Sequence, residues 1–385
     1  MDRLKRRLPI GRQSFEALRQ DGCLYVDKTK YIYELVHTGS QYFLSRPRRF
    51  GKSLFLSTLL AYWEGKKELF EGLDIVELEK NNPDAWQPHP VFQFVFNRSY
   101  FLLAHALEDV IEAHLNEWEK MYGCVKEDAS LAVCFQKLLV HAVEKTGRKA
   151  VILIDEYDKP FLDTVTENEF MLHHKTALKD FYSALSCCGK YIQFVFVTGV
   201  TGLGEDNIFS DFDHMLDISL DSSYNGICGV SEQEIMDNYL PEVQLLADKR
   251  NMPEHDCVAK LAEMYGGYRF SDKEDAVYNP NSISNALDSR EYNYYWFETG
   301  TPSFLVKKLK ALKFDVNKIK GNALYIECNE LGSCSIETDD PVLLLYQAGY
   351  LTIAGFDKER ESYILGIPNK ETEDALFCRL PKWIA

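Results

Sequence analysis

Residues 42–53 read Tyr-Phe-Leu-Ser-Arg-Pro-Arg-Arg-Phe-Gly-Lys-Ser: a short apolar run, a basic turn, and then Gly51-Lys52-Ser53. The apolar run predicts a buried strand, and the glycine before lysine and serine predicts a helix that begins at Lys52. A strand, loop and helix in this order can bind phosphate, because loop amides and a helix N-terminus surround the anion.

The loop departs from the full signature, G-x-x-x-x-G-K-[ST]. Arg46 stands where the first glycine is expected, and a proline without an N–H follows it, so the loop has fewer amide donors than usual. Arg46, Arg48 and Arg49 are expected to supply positive charge instead. In this interpretation Lys52 reaches the phosphates and the Ser53 hydroxyl binds Mg²⁺. The predicted nucleotide-binding residues of this P-loop are Arg46, Pro47, Arg48, Arg49, Phe50, Gly51, Lys52, Ser53 and Leu54.

Two carboxylates follow a second apolar run. Residues 151–156 read Val-Ile-Leu-Ile-Asp-Glu, which predicts a fully buried strand that ends at Asp155 and Glu156. In ATPases of this kind the first acid holds Mg²⁺ and the second activates the attacking water. Any strand can end in acidic residues, so the pair alone is a weak signal. Together with Gly51-Lys52-Ser53 it predicts a site for ATP and Mg²⁺.

Strands and helices alternate in the first half of the chain. This pattern predicts an α/β fold, a P-loop three-layer sandwich with a parallel five-stranded sheet. The expected strands are 42–45, 91–96, 150–155, 191–198 and 216–220, and the expected helices are 30–37, 52–63, 102–121 and 167–188. We expect the strand order 5-1-4-3-2, as in ATPases with an additional strand between the P-loop and acid strands.

That order places strand 191–198 beside strand 42–45, with Thr198 next to the γ-phosphate. Thr198 would then sense that phosphate through a hydrogen bond to it or to the attacking water. The alternative is an ordinary threonine at a strand end. From Thr198 to Leu220 there is no lysine or arginine. This disfavours a hexameric motor with an arginine finger in that segment. Hydrolysis would then be slow unless the loop arginines, Arg269 or a partner supplies the positive charge that stabilises the transition state.

Asp27-Lys28-Thr29 lies just before the predicted helix 30–37. Two interpretations are open. In the first, the segment Asp27-Lys28-Thr29 covers the adenine, as the entry segment does in related ATPases. In the second, Asp27 is a helix N-cap with a structural role only.

The composition describes a soluble globular protein of two or three domains, with 385 residues, 46% hydrophobic and 26% charged. No apolar run approaches the roughly 20 residues that cross a bilayer, so we expect no membrane segment and a cytoplasmic location. The ten cysteines form no C-x-x-C pair, which predicts buried thiols and no zinc site. A net charge of −16 disfavours nucleic acid as a partner, except at a local basic patch.

The second half predicts helices at 231–240, 254–265, 282–288 and 302–313, then a winged-helix-like segment with a helix at 343–349 and a hairpin at 350–354 and 362–366. The expected domains are 1–224, the P-loop domain; 225–335, a helical lid-like domain; and 336–385, a winged-helix-like segment and tail. The last part is a nucleotide-responsive lid or a DNA-binding wing, and the mixed charges of 356–361 favour the lid. The aromatic run 292–297 has two interpretations: its side chains stack on bases, or they belong to the core.

These motifs together resemble the bacterial AAA-ATPase-like family, whose members often continue into a PD-(D/E)XK nuclease-like domain. The resemblance rests on residues 25–29, 46–53, 155–158, 198–200, 208–210, 267–270, 278–280, 295–296 and 299–300. It implies that the basic loop is the family's own form of the P-loop. The nuclease-like domain is expected to be absent, since few residues follow the wing and the tail 376–385 departs from the usual continuation.

The expected function is that of an ATP-binding P-loop protein, an Mg²⁺-dependent ATPase or an ATP-controlled switch that acts on an unknown macromolecular partner. Lys52, Glu156 and Thr198 are the expected catalytic residues, and Ser53 and Asp155 the metal ligands. Two alternatives stay open: a module that binds nucleotide without hydrolysis, and a protein whose loop arginines contact nucleic-acid backbone. The sequence predicts neither the oligomeric state nor the biological process.

Overall fold

A computed structural model describes residues 6–96, 101–103, 105–123, 129–204, 208–209, 215–332 and 337–384. The strands are β1 Gln41–Ser45, β2 Val91–Val95, β3 Ala150–Asp155, β4 Ile192–Gly199, β5 Leu216–Asp217, β6 Leu324–Glu327, β7 Thr352–Asp357 and β8 Ser362–Gly366. Ser210 and the expected domain boundary between residues 335 and 336 lie outside the described residues.

The α-helices are α1 Phe15–Gln20, α2 Thr29–Thr38, α3 Lys52–Trp63, α4 Asp74–Leu78, α5 Ala106–Tyr122, α6 Leu131–Thr146, α7 Lys159–Asp163, α8 Asn168–Ser186, α9 Glu232–Arg250, α10 Glu254–Tyr265, α11 Pro280–Ser289, α12 Phe297–Gly300, α13 Ser303–Ala311, α14 Cys328–Gly332, α15 Pro341–Gln347, α16 Lys370–Asp374 and α17 Leu380–Ile384. Short 3₁₀-helices occur at Lys67–Phe70, Gly189–Tyr191, Ser222–Ile227 and Val316–Ile319, and a π-helix at Ala375–Arg379.

β1 to β5 form one parallel sheet in the order β2-β3-β4-β1-β5. Read from the β5 edge, this coincides with the order 5-1-4-3-2 expected from the sequence. β4 therefore lies between β1 and β3, and Thr198 is the register partner of both Leu44 and Asp155. β5 is shorter than predicted, because the Ser219 hydroxyl, and not a backbone carbonyl, accepts the Ser45 N–H at 2.8 Å.

The sheet is covered on both faces. Every residue of β3 is buried, and its side chains alternate between two apolar cores. Ile152 and Ile154 pack with α5, α6 and α8, whereas Val151 and Leu153 pack with α2 and α3. This arrangement explains why β3 reads as a continuous apolar run rather than an alternating one.

Among the longer helices, α6 and α9 depart most from the sequence-based expectation. α6 was not predicted, and α9 continues to Arg250 although Pro241 lies inside it. Proline disrupts helices by removing an N–H donor, but Val243 and Leu246 after the proline are fully buried and hold the second half of α9 in place. The start of α9 is fixed by Ser231, which forms a capping box with Glu234.

The C-terminal part contains a second sheet. β7 and β8 form the predicted hairpin, and β6 pairs with β8, which gives an antiparallel sheet in the order β6-β8-β7. β6 and β8 lie on opposite sides of the expected domain boundary near residue 335 and pair with each other. The boundary itself stays a prediction. Trp296, Phe304 and Leu344 share one core with Ile152 and Ile154, so this part packs on the parallel sheet's layer of helices.

Eight cysteines are described, and five of them are buried as predicted; Cys187, Cys328 and Cys378 are exposed. In the described ranges, every helix is too short or too polar to span a lipid bilayer.

Candidate nucleotide-binding site

The loop between β1 and α3 begins the site. Gly51 is the N-cap of α3 and has a φ of 99°, which glycine adopts without strain. Lys52 is therefore the first helical residue, as predicted. Its side chain folds back across the loop, where the ammonium donates to the carbonyls of Arg46 at 2.8 Å and Pro47 at 3.1 Å.

The P-loop lysine lies beside the acids that end β3. Burial lowers the pKa of Lys52, and the charges of Glu156 and Asp155 oppose that shift. Burial raises the pKa of Asp155, and the Ser53 hydroxyl and the Lys52 charge oppose it in turn. Residues about a hundred positions apart in the chain thus meet at one edge of the sheet.

Asp155 and Thr198 both carry an unsatisfied oxygen at this edge. They are register partners on β3 and β4, and the side chains are 3% and 0% exposed. Asp155 Oδ1 and Thr198 Oγ1 have no hydrogen-bond partner within the described part of the chain. Buried polar atoms are normally paired with protein groups or ordered water, so each of these oxygens can accept a hydrogen bond or a metal ion.

Glu156 adopts an unusual backbone conformation. Its φ is 54°, in the left-handed region that residues other than glycine rarely occupy. Burial raises the pKa of its carboxyl group, and the neighbouring charge of Asp155 raises it further. Strained backbone of this kind costs about 1–3 kcal/mol and clusters at functional sites.

A cavity of about 310 Å³ opens in front of Lys52. It is lined by Pro9, Ile10, Gly11, Arg12, Gln13, Arg48, Arg49, Gly51, Lys52, Ser53, Leu54, Glu156, Lys159, Pro280, Asn281, Ser284 and Thr299. Five of these residues are cationic and one is acidic, so the cavity suits a polyanion. Neither Arg48 nor Arg49 forms an ion pair with any residue that the structure describes.

A smaller apolar cavity of about 80 Å³ adjoins the first. The two share Pro9, Gly51, Leu54 and Pro280. The remaining lining residues of the smaller cavity are Leu24, Tyr25, Val26, Lys28, Phe50, Phe55, Ile227, Cys228, Gly229, Val230 and Tyr239. A charged cavity next to an apolar one matches the two ends of a nucleotide.

The family model described as "Predicted AAA-ATPase" matches residues 9–209. The chain belongs to the AAA-ATPase-like family. It is also 34% identical over 381 residues to a protein of Azotobacter chroococcum mcd 1 described as "Uncharacterized protein in vnfD 5'region". The alignment covers 97% of this chain and 69% of that relative.

The AAA-ATPase-like match includes the P-loop, Asp155, Glu156 and Thr198. It ends before the segments that close the far side of the cavity, which contribute Pro280, Asn281, Ser284 and Thr299. Family membership supports ATP binding, and it supports Mg²⁺ as the usual companion of ATP.

The Arg46 side chain was expected to bind phosphate, but it is buried and does not line the charged cavity. Its side chain is 1% exposed, and its guanidinium donates to the carbonyls of Ser45 at 2.9 Å, Ser219 at 2.7 Å and Tyr224 at 3.2 Å. The guanidinium also stacks on the Phe270 ring at 4.0 Å. Arg46 is not among the residues that line the charged cavity, and we now interpret its side chain as a support for the loop.

Pro47 and Phe50 also anchor the AAA-ATPase-like loop. Phe50 is fully buried and packs edge-on against Tyr268 and Phe270, with ring centroids 4.7 and 5.5 Å away. Pro47 packs against Gly349, where an added Cβ would come within 2.7 Å of the proline ring. Arg269, which separates Tyr268 from Phe270 in the sequence, does not line the cavity.

Asp27, Lys28 and Thr29 make mainly structural contacts. Asp27 Oδ2 and Thr29 Oγ1 accept the N–H groups of Asp74 and Ile75 at the start of α4, at 2.8 and 3.2 Å. Asp27 Oδ1 accepts from Thr29, while the N-cap position of α2 itself is Lys28. Lys28 lines the apolar cavity, although its ammonium is paired with Glu234 at 2.6 Å. Only Lys28 is therefore placed to contact a base.

Asp158 is a site residue to which the sequence analysis gave no role. Its Oδ2 accepts the N–H groups of Val200 at 2.8 Å and Thr201 at 2.7 Å and the Thr201 hydroxyl at 2.9 Å. The N–H of Tyr157 donates to the Thr198 carbonyl at 3.1 Å. The acid segment therefore fixes the chain that leaves Thr198.

Residues 9–13 and Lys159 were also missed. The segment forms a turn in which the Arg12 N–H donates to the Pro9 carbonyl at 3.2 Å, with Gly11 at a φ of 71°. A Pro-x-Gly turn directly before a helix capped by Ser14 was the available signal. Lys159 follows the acid segment directly, but nothing in its local pattern distinguishes it from a surface lysine.

The residues present fit Mg²⁺. In the ranges that the structure describes, no three His, Cys, Asp or Glu side chains form a metal cage. Mg²⁺ in nucleotide sites needs no such cage, since it takes one or two protein ligands with phosphates and waters. Ser53 and the unpaired oxygen of Asp155 meet that requirement.

Proposed function

We propose that this chain binds Mg-ATP in the charged cavity, hydrolyses it slowly, and acts as an ATP-controlled switch on a macromolecular partner. The observation that carries the proposal is the pair of buried, unpaired oxygens of Asp155 and Thr198 beside Lys52 and Ser53. Asp155 and Thr198 are not among the residues that line the cavity, so a magnesium-bound triphosphate would have to extend beyond that lining to satisfy both oxygens.

Each residue has a role that follows from its position. Lys52 would exchange its bonds to loop carbonyls for bonds to phosphate oxygens, with Arg48 and Arg49 alongside. Ser53 and Asp155 would hold the Mg²⁺, which neutralises charge on the phosphates. Glu156 would accept a proton from the attacking water, and its raised pKa makes it a better base for that task. Thr198 would hydrogen-bond to the γ-phosphate or to that water.

The apolar cavity would hold the base, with Leu54 and the stem of Lys28 among its contacts. It shares Pro9 and Pro280 with the charged cavity, so segments from both halves of the chain would close over the nucleotide.

Slow turnover follows from how two cations are held. Lys159 pairs with Asp163 and Arg12 pairs with Asp21, and these ion pairs would compete with contacts to developing phosphate charge. A change that releases one of these pairs would raise the rate, because charge stabilisation is a large part of phosphoryl-transfer catalysis. A partner that binds at residues 9–13 would act in this way.

Calorimetric titration of the protein with ATP and Mg²⁺ tests the proposal. We expect binding that K52A weakens by about 100-fold, while K80A, which alters an exposed lysine, changes nothing. Phosphate release should fall to background in E156Q, with ATP binding kept. No binding by the unaltered protein would refute the proposal, and binding without phosphate release would leave the non-hydrolysing module as the function.

Nucleic acid is the less favoured partner. Of the three loop arginines, Arg46 is buried and Arg49 alone is exposed. Binding to DNA or RNA that weakens steeply with salt and ignores ATP would favour that alternative.

A further inference from the structure

Glu371 is a buried carboxylate far along the chain from the P-loop. It lies in α16 and is 2% exposed. Its Oε1 accepts the N–H groups of Tyr295 and Trp296, the latter at 2.9 Å, and its Oε2 accepts the Ser282 hydroxyl at 2.7 Å. It forms no ion pair with a described residue. A buried carboxylate is costly unless hydrogen bonds satisfy it, so these bonds fix the geometry of the segments that donate them.

The two segments that Glu371 joins both line the charged cavity. Ser282 lies in the first turn of α11, between the cavity-lining residues Asn281 and Ser284. Trp296 lies three positions before Thr299, which also lines the cavity. Asn281 adds a direct link, because its side-chain amide donates to the Tyr295 carbonyl at 3.4 Å.

Trp296 carries the connection to the P-loop itself. Its side chain is fully buried, and the indole Nε1–H donates to the Arg48 carbonyl at 3.4 Å. Gly300 lies against the indole so closely that an added Cβ would be 2.2 Å from Nε1. The position of this ring is therefore fixed from both sides, and it meets the loop at a residue that faces the cavity.

A second contact runs from the same short helix to the other side of the loop. The hydroxyl of Thr372 and that of Tyr268 are 3.0 Å apart, and the Tyr268 ring packs edge-on against Phe50. α16 thus supports the loop at two points, through Trp296 at Arg48 and through Tyr268 at Phe50.

We propose that Glu371 is a positioning residue of the nucleotide site, which sets the cavity-lining ends of α11 and α12 and the Trp296 contact with the P-loop. The inference rests on the proposed function. Glu371 touches no nucleotide in this arrangement, and it acts through Ser282 and Trp296.

The variants follow from the bonding pattern. E371A removes the acceptor for all three donors. E371Q keeps it: the amide oxygen accepts both N–H groups, and the amide nitrogen donates to the Ser282 hydroxyl, which can accept. L376A removes a fully buried apolar side chain from the adjoining π-helix and lowers stability without touching these bonds. E373A alters an exposed carboxylate on the same helix.

Mg-ATP affinity, thermal unfolding and amide hydrogen exchange are measured for each variant. We expect E371A to weaken Mg-ATP binding on the order of tenfold and to speed exchange in residues 46–53 and 295–300. E371Q, L376A and E373A should stay within about twofold of the unaltered protein's affinity. If E371A does not fold, S282A removes one of the three bonds and should weaken binding two- to threefold on the same argument.

Normal Mg-ATP affinity in folded E371A, or in S282A, would overturn the inference and leave the proposed function standing. An equal loss of affinity in L376A at matched stability would overturn it too, since the effect would then be one of general destabilisation. Failure of the unaltered protein to bind nucleotide would refute the proposed function instead.

Discussion

Asp155 and Thr198 stand opposite each other on neighbouring parallel strands, and each buries a side-chain oxygen that no described residue satisfies. An unsatisfied buried polar group costs about 1–3 kcal/mol. We interpret two such groups side by side, close to the buried Lys52, as part of the proposed nucleotide site, where their partners would arrive with the ligand. Removal of either group should therefore keep or raise the stability of the nucleotide-free protein, while it impairs Mg-ATP binding at Asp155 and hydrolysis at Thr198.

Replacing Asp155 by asparagine should show this opposition. Because burial raises the pKa of Asp155 above its ordinary value, the ionised form is disfavoured in the fold, and its destabilising effect grows as the pH rises through the folded pKa. At pH 7 we expect D155N to raise the melting temperature of the nucleotide-free protein by about 1–3 °C, and to abolish the Mg²⁺ dependence of ATP binding.

Scanning calorimetry with and without Mg-ATP measures both effects. D84N, at an exposed carboxylate, is the matched control and should change neither. A lower melting temperature for D155N would mean that Lys52 and Ser53 already satisfy the ionised carboxylate, which contradicts the interpretation of the site.

The sequence predicted the strands of the parallel sheet, and the two segments that bring Lys52 close to Asp155, from local signals. β3 is a run of apolar residues between polar ones, and α3 begins where glycine precedes Lys52. The register that places Thr198 beside Asp155 followed from strand order alone. β3 and the start of α3 needed no knowledge of how distant parts of the chain pack, whereas the position of Thr198 needed the strand order of related ATPases.

The rest depended on long-range packing. An arginine in a phosphate-binding loop predicts a phosphate contact, and only the fold shows that Ser219 and Tyr224 surround Arg46 with carbonyls. Asn281 and Thr299 reach the cavity because α11 and α12 fold back over the P-loop, which no local pattern indicates. α9 passes through Pro241 because the buried residues beyond it outweigh the lost hydrogen bond.

Thr198 should matter for hydrolysis and not for stability. T198V keeps the branched shape and removes a hydroxyl that has no partner in the described structure, so the melting temperature should stay the same or rise. Phosphate release should fall on the order of 100-fold, with ATP affinity nearly unchanged. T201V is the contrasting variant, since it breaks the bond to Asp158 and should lower the unfolding free energy by about 1 kcal/mol. Unchanged phosphate release in T198V would exclude the sensor role.

Arg46 and Arg48 should separate support of the loop from binding of nucleotide. R46M removes a buried guanidinium that serves three carbonyls, and we expect the unfolding free energy to fall by about 3 kcal/mol. R48M should leave stability within about 0.5 kcal/mol and weaken ATP binding by about tenfold. Denaturant unfolding and calorimetric titration of the two variants check this. The reverse pattern, a stable R46M that binds ATP poorly, would restore Arg46 to the phosphate-binding set.

Binding of Mg-ATP should move protons in opposite directions at the two ends of the pH range. Asp155 and Glu156 have pKa values raised by burial, so just above the ordinary carboxyl pKa of about 4 part of each stays protonated, and metal binding should release protons there. Lys52 has a pKa lowered by burial, so below the ordinary lysine value of about 10.4 part of it is neutral, and phosphate binding should take up protons. Titrations at acidic and alkaline pH, each in two buffers of different ionisation enthalpy, measure the number of protons. E156Q should reduce the proton release at acidic pH and leave the proton uptake at alkaline pH intact. If E156Q does not alter the number of protons exchanged, Glu156 ionises independently of the bound nucleotide.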